Sequence, residues 1–152
     1  MISYTTRPKR VHEGNTHIFI QSDEVEQYRK DIVAYTKIGE YEYFATEQQL
    51  QDIDFYIIDP AGWRELTGNR QLKEKFDFKT IFLSVSKEEQ LRRAGKRKDK
   101  REVFIKRCED ENESFNDFEA QIIYGQIPGI VFDTADPKSK ESFKNIISFL
   151  QK

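Results

Sequence analysis

The sequence predicts an α/β protein whose sheet is mostly parallel, with helices on both faces and a small mixed flap attached. Three short apolar runs, rich in β-branched or aromatic residues, predict buried strands. Helix-start signals lie between and after these runs, and strands that alternate with helices are typical of a parallel sheet. The predicted strands cover residues 55–58, 80–83 and 129–132.

The stretch that predicts the flap covers about residues 15–46. It contains three shorter and more polar extended pieces, at 17–20, 32–36 and 41–45, and a helix that begins near Ser22. Short strands with polar positions are typical of sheets that keep one face in water. We therefore expect this region to form a small antiparallel or mixed sheet.

Local spacing indicates where the helices begin. A Ser, Thr or Asp before a first turn that carries Glu, Gln or Pro is a common start signal, because the side chain caps free backbone N–H groups. The last helix is also recognised by an apolar stripe of helical period. The start signals are Thr46 with Gln49, Ser86 with Glu89 and Asp136 with Pro137, and the stripe consists of Phe143, Ile146, Ile147 and Leu150.

Composition limits the class of protein. The 152 residues are the usual size of one domain, so we expect a single domain over residues 1–152. The net charge of −2 predicts neither a nucleic-acid partner nor an acidic membrane surface as a partner. One cysteine and two histidines exclude an internal disulfide and argue against a structural zinc site. No apolar run approaches the roughly 20 residues of a membrane span, and we expect a cytoplasmic protein.

Any anion-binding site must therefore come from local charge. The 25 Lys and Arg residues are unevenly spread, with a dense basic group at 92–107 and a smaller one made of Arg7, Lys9 and Arg10. Arginine suits phosphate because its planar guanidinium binds two oxygens at once and stays charged. These two groups are the candidate anion sites.

The smaller basic group lies in a recognisable motif. Residues 3–10 read SYTTRPKR and Glu13 follows, which resembles the guanylate kinase signature S-x-T-T-R-x-P-R-x-x-E. One position departs from the signature, because Pro8 precedes Lys9 instead of following it. The likeness continues through Tyr43, residues 59–62 (DPAG), residues 80–86, the arginines Arg93, Arg97 and Arg107, and residues 130–133.

The resemblance implies a P-loop-kinase-like fold and the transfer of a phosphoryl group from ATP, with Mg²⁺, to a nucleoside monophosphate. Phosphoryl transfer depends on positioning and charge stabilisation, which arginines supply. It also implies that the flap binds the acceptor and that a basic helical lid at residues 92–115 closes over the donor. The implied acceptor-binding residues are Ser3, Arg7, Arg10, Glu13, His17 and Tyr43; the implied catalytic residues are Arg93, Arg97, Arg107 and Asp59, the last through a water on Mg²⁺ and not as a direct ligand.

Several of these residues also have a simpler interpretation. An arginine-rich helix is most often a solvated face. Asp59 is placed to cap the turn that follows it. His17 stands where the family usually has a second phosphate-contacting tyrosine, and a surface histidine or one satisfied within the fold is an equal alternative.

Two departures from the family pattern bear on activity. No segment fits the ATP-binding loop G-x-x-x-x-G-K-[ST], which the family places upstream of this sequence together with the first strand. We therefore expect the chain alone to be inactive, and its exposed sheet edges to favour self-association. The family's guanine-reading positions fall on Ala34, on Ala45 with Thr46 beside it, and on Ile57, so we expect only a shallow preference for guanine.

Three functions fit these patterns. The first is a guanylate-kinase-like nucleoside monophosphate kinase. The second is a non-catalytic guanylate-kinase-like module that binds phosphate or a partner protein through the former acceptor site. The third is a degenerate remnant without activity.

Overall fold

The computed structural model describes residues 1–11, 13–51, 53–135 and 139–151. The chain divides into two compact units, an amino-terminal unit at Met1–Asp77 and a carboxy-terminal unit at Phe78–Lys152. Each unit contains its own sheet.

The amino-terminal unit is built on a four-stranded sheet. Its elements are β1 (Tyr4–Thr5), β2 (Ile18–Phe19), a 3-10 helix (Ser22–Tyr28), β3 (Ile32–Ile38), β4 (Tyr41–Thr46), α1 (Glu47–Leu50), α2 (Pro60–Gly68) and α3 (Arg70–Lys75). The strand order is β2, β1, β4, β3, with β1 and β2 parallel and the other two pairs antiparallel. The small mixed sheet predicted for the flap is confirmed.

An aromatic cluster on one face of the sheet forms part of the core of this unit. Phe44 is 1% exposed, and its ring centroid lies 5.1 Å from that of Tyr4 and 5.7 Å from that of Tyr28. Val25, from the 3-10 helix, is equally buried. The hairpin between β3 and β4 turns at Gly39, whose φ of +62° is accessible to glycine without the steric cost of a side chain.

Residues 55–58 do not form the buried strand that the sequence predicts. The chain there has no regular secondary structure and pairs with no strand of the described residues, and Phe55 is 64% exposed and Ile57 93% exposed. An apolar run becomes a buried strand only where neighbouring strands pair with it and cover it, and no strand in the described ranges pairs with this one. The segment leads directly into α2, and the prediction of a strand is wrong.

The carboxy-terminal unit contains two parallel strands and three helices. The elements are β5 (Thr80–Ser84), α4 (Lys87–Lys96), α5 (Arg101–Ile123), β6 (Gly129–Asp133) and α6 (Ser139–Leu150). β5 and β6 pair in register from Thr80 opposite Gly129 to Ser84 opposite Asp133, which confirms both predicted strands. A side chain at Gly129 would place its Cβ 2.8 Å from the Thr80 carbonyl oxygen, so this close approach requires glycine.

The helix starts follow the sequence where they are described. Ser86 caps α4, since its Oγ accepts a hydrogen bond from the Glu89 N–H at 3.3 Å, as the spacing predicts. Thr46 precedes α1 as predicted. The predicted start at Asp136 and Pro137 lies outside the described residues, although α6 itself is present.

The prediction of a mostly parallel sheet is not confirmed. Within the described ranges, parallel pairing is limited to β5 with β6 and to the two-residue pair β1 with β2, and the larger sheet is mixed. In the part of the chain that the structure describes, no helix has both the length and the apolar character needed to span a bilayer.

Candidate functional site

Polar side chains gather on one face of the amino-terminal sheet. Tyr43 on β4 lies opposite Thr5 on one side and Thr36 on the other, so these three residues share a face. The His17 ring, just before β2, meets the Tyr43 ring edge-on, with centroids 5.7 Å apart and planes at 69°. Residues Arg7, Arg10 and Glu13 belong to the loop between β1 and β2. We call Arg7, Arg10, Glu13, His17 and Tyr43 the Arg7 cluster.

The loop is organised around the Glu13 carboxylate, which accepts four hydrogen bonds. Arg7 donates Nη2–H to Oε1 at 2.7 Å and Nη1–H to Oε2 at 3.0 Å. The Arg10 backbone N–H donates to Oε2 at 3.0 Å, and the Thr16 hydroxyl donates to Oε1 at 2.7 Å. These bonds, of which those from Arg7 contribute most, hold the pKa of Glu13 far below its usual value. Glu13 is therefore ionised throughout the physiological range and fixes the position of Arg7.

Arg7 is held rigidly in the loop. Its side chain is 11% exposed, and its guanidinium carbon lies 5.5 Å from the centre of the Phe19 ring. Of the five N–H groups that an arginine has, three donate to Glu13 and to the Pro8 carbonyl, and the Tyr43 hydroxyl is a further partner of the guanidinium. The pKa of Arg7 is raised, chiefly by its bond to Glu13 and also by the Tyr43 hydroxyl. The geometry leaves a preorganised guanidinium that is able to bind an anion.

The other two cations of the loop, Lys9 and Arg10, have fewer partners than Arg7. Lys9 Nζ lies 5.6 Å from the centre of the Phe19 ring. The exposed Arg10 side chain has no hydrogen-bond or ion-pair partner within residues 1–11, 13–51, 53–135 and 139–151. Because Glu13 balances Arg7, the positive charge available to an anion comes from Lys9 and Arg10.

His17 is neutral in this environment at neutral pH. Burial lowers its pKa most, the positive charges of Arg7 and Arg10 lower it further, and Glu13 opposes them. Its Nδ1 lies 3.1 Å from the Thr16 hydroxyl oxygen. The ring thus forms one wall of the cluster beside Tyr43.

Asp59 and Ser3 lie in the same unit but outside this loop. The Asp59 Oδ1 accepts the Thr36 hydroxyl at 2.7 Å and the Gly62 N–H at 2.8 Å, so Asp59 caps α2. The Ser3 carbonyl accepts the Ile18 N–H at 2.9 Å, which joins the starts of β1 and β2. No group of three or more potential metal ligands occurs among the described residues.

The three lid arginines lie in the carboxy-terminal unit, and each is paired with a nearby carboxylate. Arg93 donates Nε–H to Glu89 at 2.8 Å and two further bonds to Thr134, at 3.0 Å to the hydroxyl and 3.1 Å to the carbonyl. The side chains of the three arginines are between 38% and 57% exposed. Their carboxylate partners are Glu89 for Arg93, Asp99 for Arg97 at 2.7 Å, and Glu111 for Arg107 at 2.9 Å.

Two of the expected base-reading positions are inside the protein. Ala34 is 1% exposed and Ala45 is fully buried, and they lie opposite each other on β3 and β4, where α2 packs against β3. Neither side chain is accessible to a bound base, so the expectation that they line the base pocket is wrong. Ile57 is the opposite case, because it lies on the unpaired segment and is almost fully exposed.

Sequence analysis missed several polar partners. Thr36 binds Asp59 across 23 residues, and the Tyr35 hydroxyl and Arg29 both donate to Glu42 Oε1, at 2.8 and 3.0 Å. No local spacing links these residues, so nothing in the sequence marked them. The partners of the lid arginines were readable in part, because Glu89 with Arg93 and Arg107 with Glu111 have the spacing of one helical turn.

The comparisons with known proteins agree with the fold. No family model matches the chain, and no curated protein matches its sequence. Among solved structures, the chain is similar to the guanylate kinase from Anaplasma phagocytophilum, with 21% identity and a TM-score of 0.56 over 99% of this chain and 72% of that chain. The protein therefore has a guanylate-kinase-like fold, as the resemblance in the sequence implies.

Proposed function

We propose that this chain is a guanylate-kinase-like nucleoside monophosphate kinase, and that the Arg7 cluster binds the acceptor phosphate. The observation that carries the proposal is the Arg7 guanidinium, which two hydrogen bonds to Glu13 fix in place beside the Tyr43 hydroxyl. The fold similarity supports the same class of protein.

The cluster supplies the groups that phosphate recognition needs. A guanidinium binds two phosphate oxygens at once, and a preorganised one loses little side-chain entropy on binding. The Arg10 side chain has no partner in the described part of the chain and is close in sequence to Arg7, so it adds a second charge, and the Tyr43 hydroxyl adds a donor on the same side of the sheet. Glu13 orients Arg7 and does not itself contact an anion, because like charges repel.

The lid arginines fit the donor side of the same reaction. Arg93, Arg97 and Arg107 are exposed enough to exchange a carboxylate for the phosphates of ATP, and such surface pairs cost little to break. Mg²⁺ enters with ATP, where phosphate oxygens and waters supply most of its ligands. The single carboxylate of Asp59 suits a bond to one of those waters, in addition to its cap on α2.

The test compares charge removal inside and outside the cluster. Calorimetric titration with inorganic phosphate and with GMP, AMP, UMP and CMP is expected to give binding governed by the phosphate. The double variant R7A/R10A should lose this binding, since each charged hydrogen bond contributes about 1.5 to 3 kcal/mol. The control R70A/K73A removes two charges from α3 in the same unit and should bind as the unaltered chain does.

The outcomes separate the proposed functions. Equal phosphate affinity in R7A/R10A and the unaltered chain would exclude the cluster as the phosphate site. ADP release from ATP in the same mixtures is expected to stay at background for the 152-residue chain, which has no G-x-x-x-x-G-K-[ST] loop. Binding of a phosphorylated peptide in preference to every nucleotide would instead favour the non-catalytic binding module.

A further inference from the structure

We propose that His17 couples phosphate binding at the Arg7 cluster to the uptake of a proton, so that the site holds a dianion more tightly as the pH falls. This inference rests on the phosphate role proposed above and concerns its regulation. The tyrosine that the family resemblance leads us to expect at this position would not change its charge near neutral pH, whereas histidine does.

The hydrogen bonds around Thr16 determine which nitrogen of His17 carries its proton. The Thr16 hydroxyl hydrogen is donated to Glu13, which as a carboxylate only accepts. The Thr16 oxygen therefore accepts in its contact with His17 Nδ1, which places the proton of the neutral ring on Nδ1. Nε2 then carries a lone pair, and it is the atom that takes up a proton.

The groups facing the ring explain why the empty site disfavours that proton. Among the described residues, Arg7 and Arg10 are the cations that face His17 and Glu13 is the anion that faces it, while the Tyr43 ring lies edge-on to the imidazole. Glu13 is already engaged by four donors, so its negative charge is largely balanced by Arg7. Burial and the two arginines thus keep the ring neutral.

A bound dianion reverses this balance. Two negative charges beside Arg7 and Arg10 offset the field that repels an imidazolium, and the new Nε2–H becomes a donor to the anion. The proton comes from solvent, and no covalent bond is made or broken apart from this transfer. Where His17 stays neutral, its Nε2 lone pair faces the anion and weakens binding.

Sulfate is the probe for this effect, because it remains a dianion across neutral pH while a phosphate monoester titrates near pH 6 itself. Calorimetric titration of the full chain with sulfate is expected to show affinity a few-fold higher near pH 6 than near pH 8, because a rise of one pKa unit at His17 on binding gives its full tenfold gain only well below both pKa values. Repeating the titration in buffers of different ionisation enthalpy should show uptake of a fraction of one proton.

Two variants and one spectroscopic measurement make the test specific. His17→Tyr and His17→Gln should each bind sulfate without the pH dependence, and His12→Gln, which changes the other histidine, should keep it. Nitrogen-15 NMR of the unaltered chain should show an Nδ1–H tautomer for His17 and a higher His17 pKa with sulfate than without it.

The failures are distinguishable. Sulfate binding with the same affinity at every pH, or a pH dependence that survives in both His17 variants, would overturn the inference and leave the phosphate site in place. Absence of sulfate binding at every pH would remove the phosphate site and this inference with it.

Discussion

Arg7 and the arginines predicted for the lid are paired with carboxylates in different ways. In the amino-terminal unit, Arg7 pairs with Glu13 within one loop, and this pair is largely shielded, with side chains 11% and 13% exposed. In the carboxy-terminal unit, Arg93 and Arg107 meet carboxylates one helical turn away and remain more than a third exposed. Water and salt weaken an exposed pair, whereas a shielded pair with several hydrogen bonds keeps its strength.

The proposed function assigns these two arrangements to two kinds of anion site. A shielded arginine held by a carboxylate is preorganised and needs little rearrangement to receive a phosphate. An exposed arginine with a local partner has to exchange that partner, which suits a lid that binds and releases its ligand. The contrast also predicts which substitutions have large effects.

The largest effect is expected from removing Arg7. Arg7→Ala leaves the ionised and largely shielded Glu13 without its main donor, so it should lower the unfolding temperature of the amino-terminal unit clearly more than Arg107→Ala lowers that of the carboxy-terminal unit. For Arg107, an exposed helix pair, a loss of about 0.3 to 0.5 kcal/mol is expected. Double-mutant cycles for Arg7 with Glu13 and for Arg107 with Glu111, measured by chemical denaturation, check this.

The salt dependence of the two coupling energies tests the same comparison. Raising NaCl from about 0.05 to about 0.5 M should remove most of the Arg107–Glu111 coupling and little of the Arg7–Glu13 coupling, since screening acts on exposed charges. Equal couplings, or equal loss on adding salt, would contradict the comparison.

An intermediate effect is expected at Asp59, which combines a local and a long-range hydrogen bond. Asp59→Ala removes the α2 cap together with the bond from Thr36 and should cost about 1 kcal/mol or somewhat more. Asp59→Asn keeps an acceptor for the Gly62 N–H and should cost less. Thr36→Val removes only the long-range bond, so thermal unfolding of the three variants separates the two contributions. If Asp59→Ala left the unfolding temperature unchanged, the cap would not stabilise α2.

The smallest effect is expected at Glu89, which typifies local pairing in the carboxy-terminal unit. Hydrogen bonds from Arg92, and then from Arg93, lower the pKa of Glu89 from 4.5 to about 2. Since the folded pKa lies below the unfolded value, the stabilisation is fully present above pH 4.5 and is lost as the pH falls toward 2. Carboxyl carbon NMR should show the low titration midpoint of Glu89. In the Glu89→Gln variant, the unfolding temperature should change less between pH 4.5 and pH 2 than it does in the unaltered chain. A midpoint near the usual value would contradict the pairing.

Much of the local structure was predictable from the sequence. The strands at 80–83 and 129–132, the Ser86 cap and the mixed sheet of the flap follow from short-range patterns that the structure confirms. The fold itself was predictable from the resemblance carried by the motif around Arg7. The prediction was wrong at 55–58 and at the two buried alanines, because burial depends on which other segments cover a residue.

By itself, the sequence determined the elements and contacts that lie within one or two turns of chain. Covalent spacing already brings such groups near each other. The contacts of this kind are the helix caps, the one-turn ion pairs of Arg93 and Arg107, and the placement of Arg7, Arg10 and Glu13 in one loop. Only the tertiary structure decided that Thr36 binds Asp59, that Tyr43 lies against His17, and that Arg7 is shielded. Desolvation and long-range hydrogen bonds arise when distant segments meet, and they set the charge of His17 and the rigidity of Arg7.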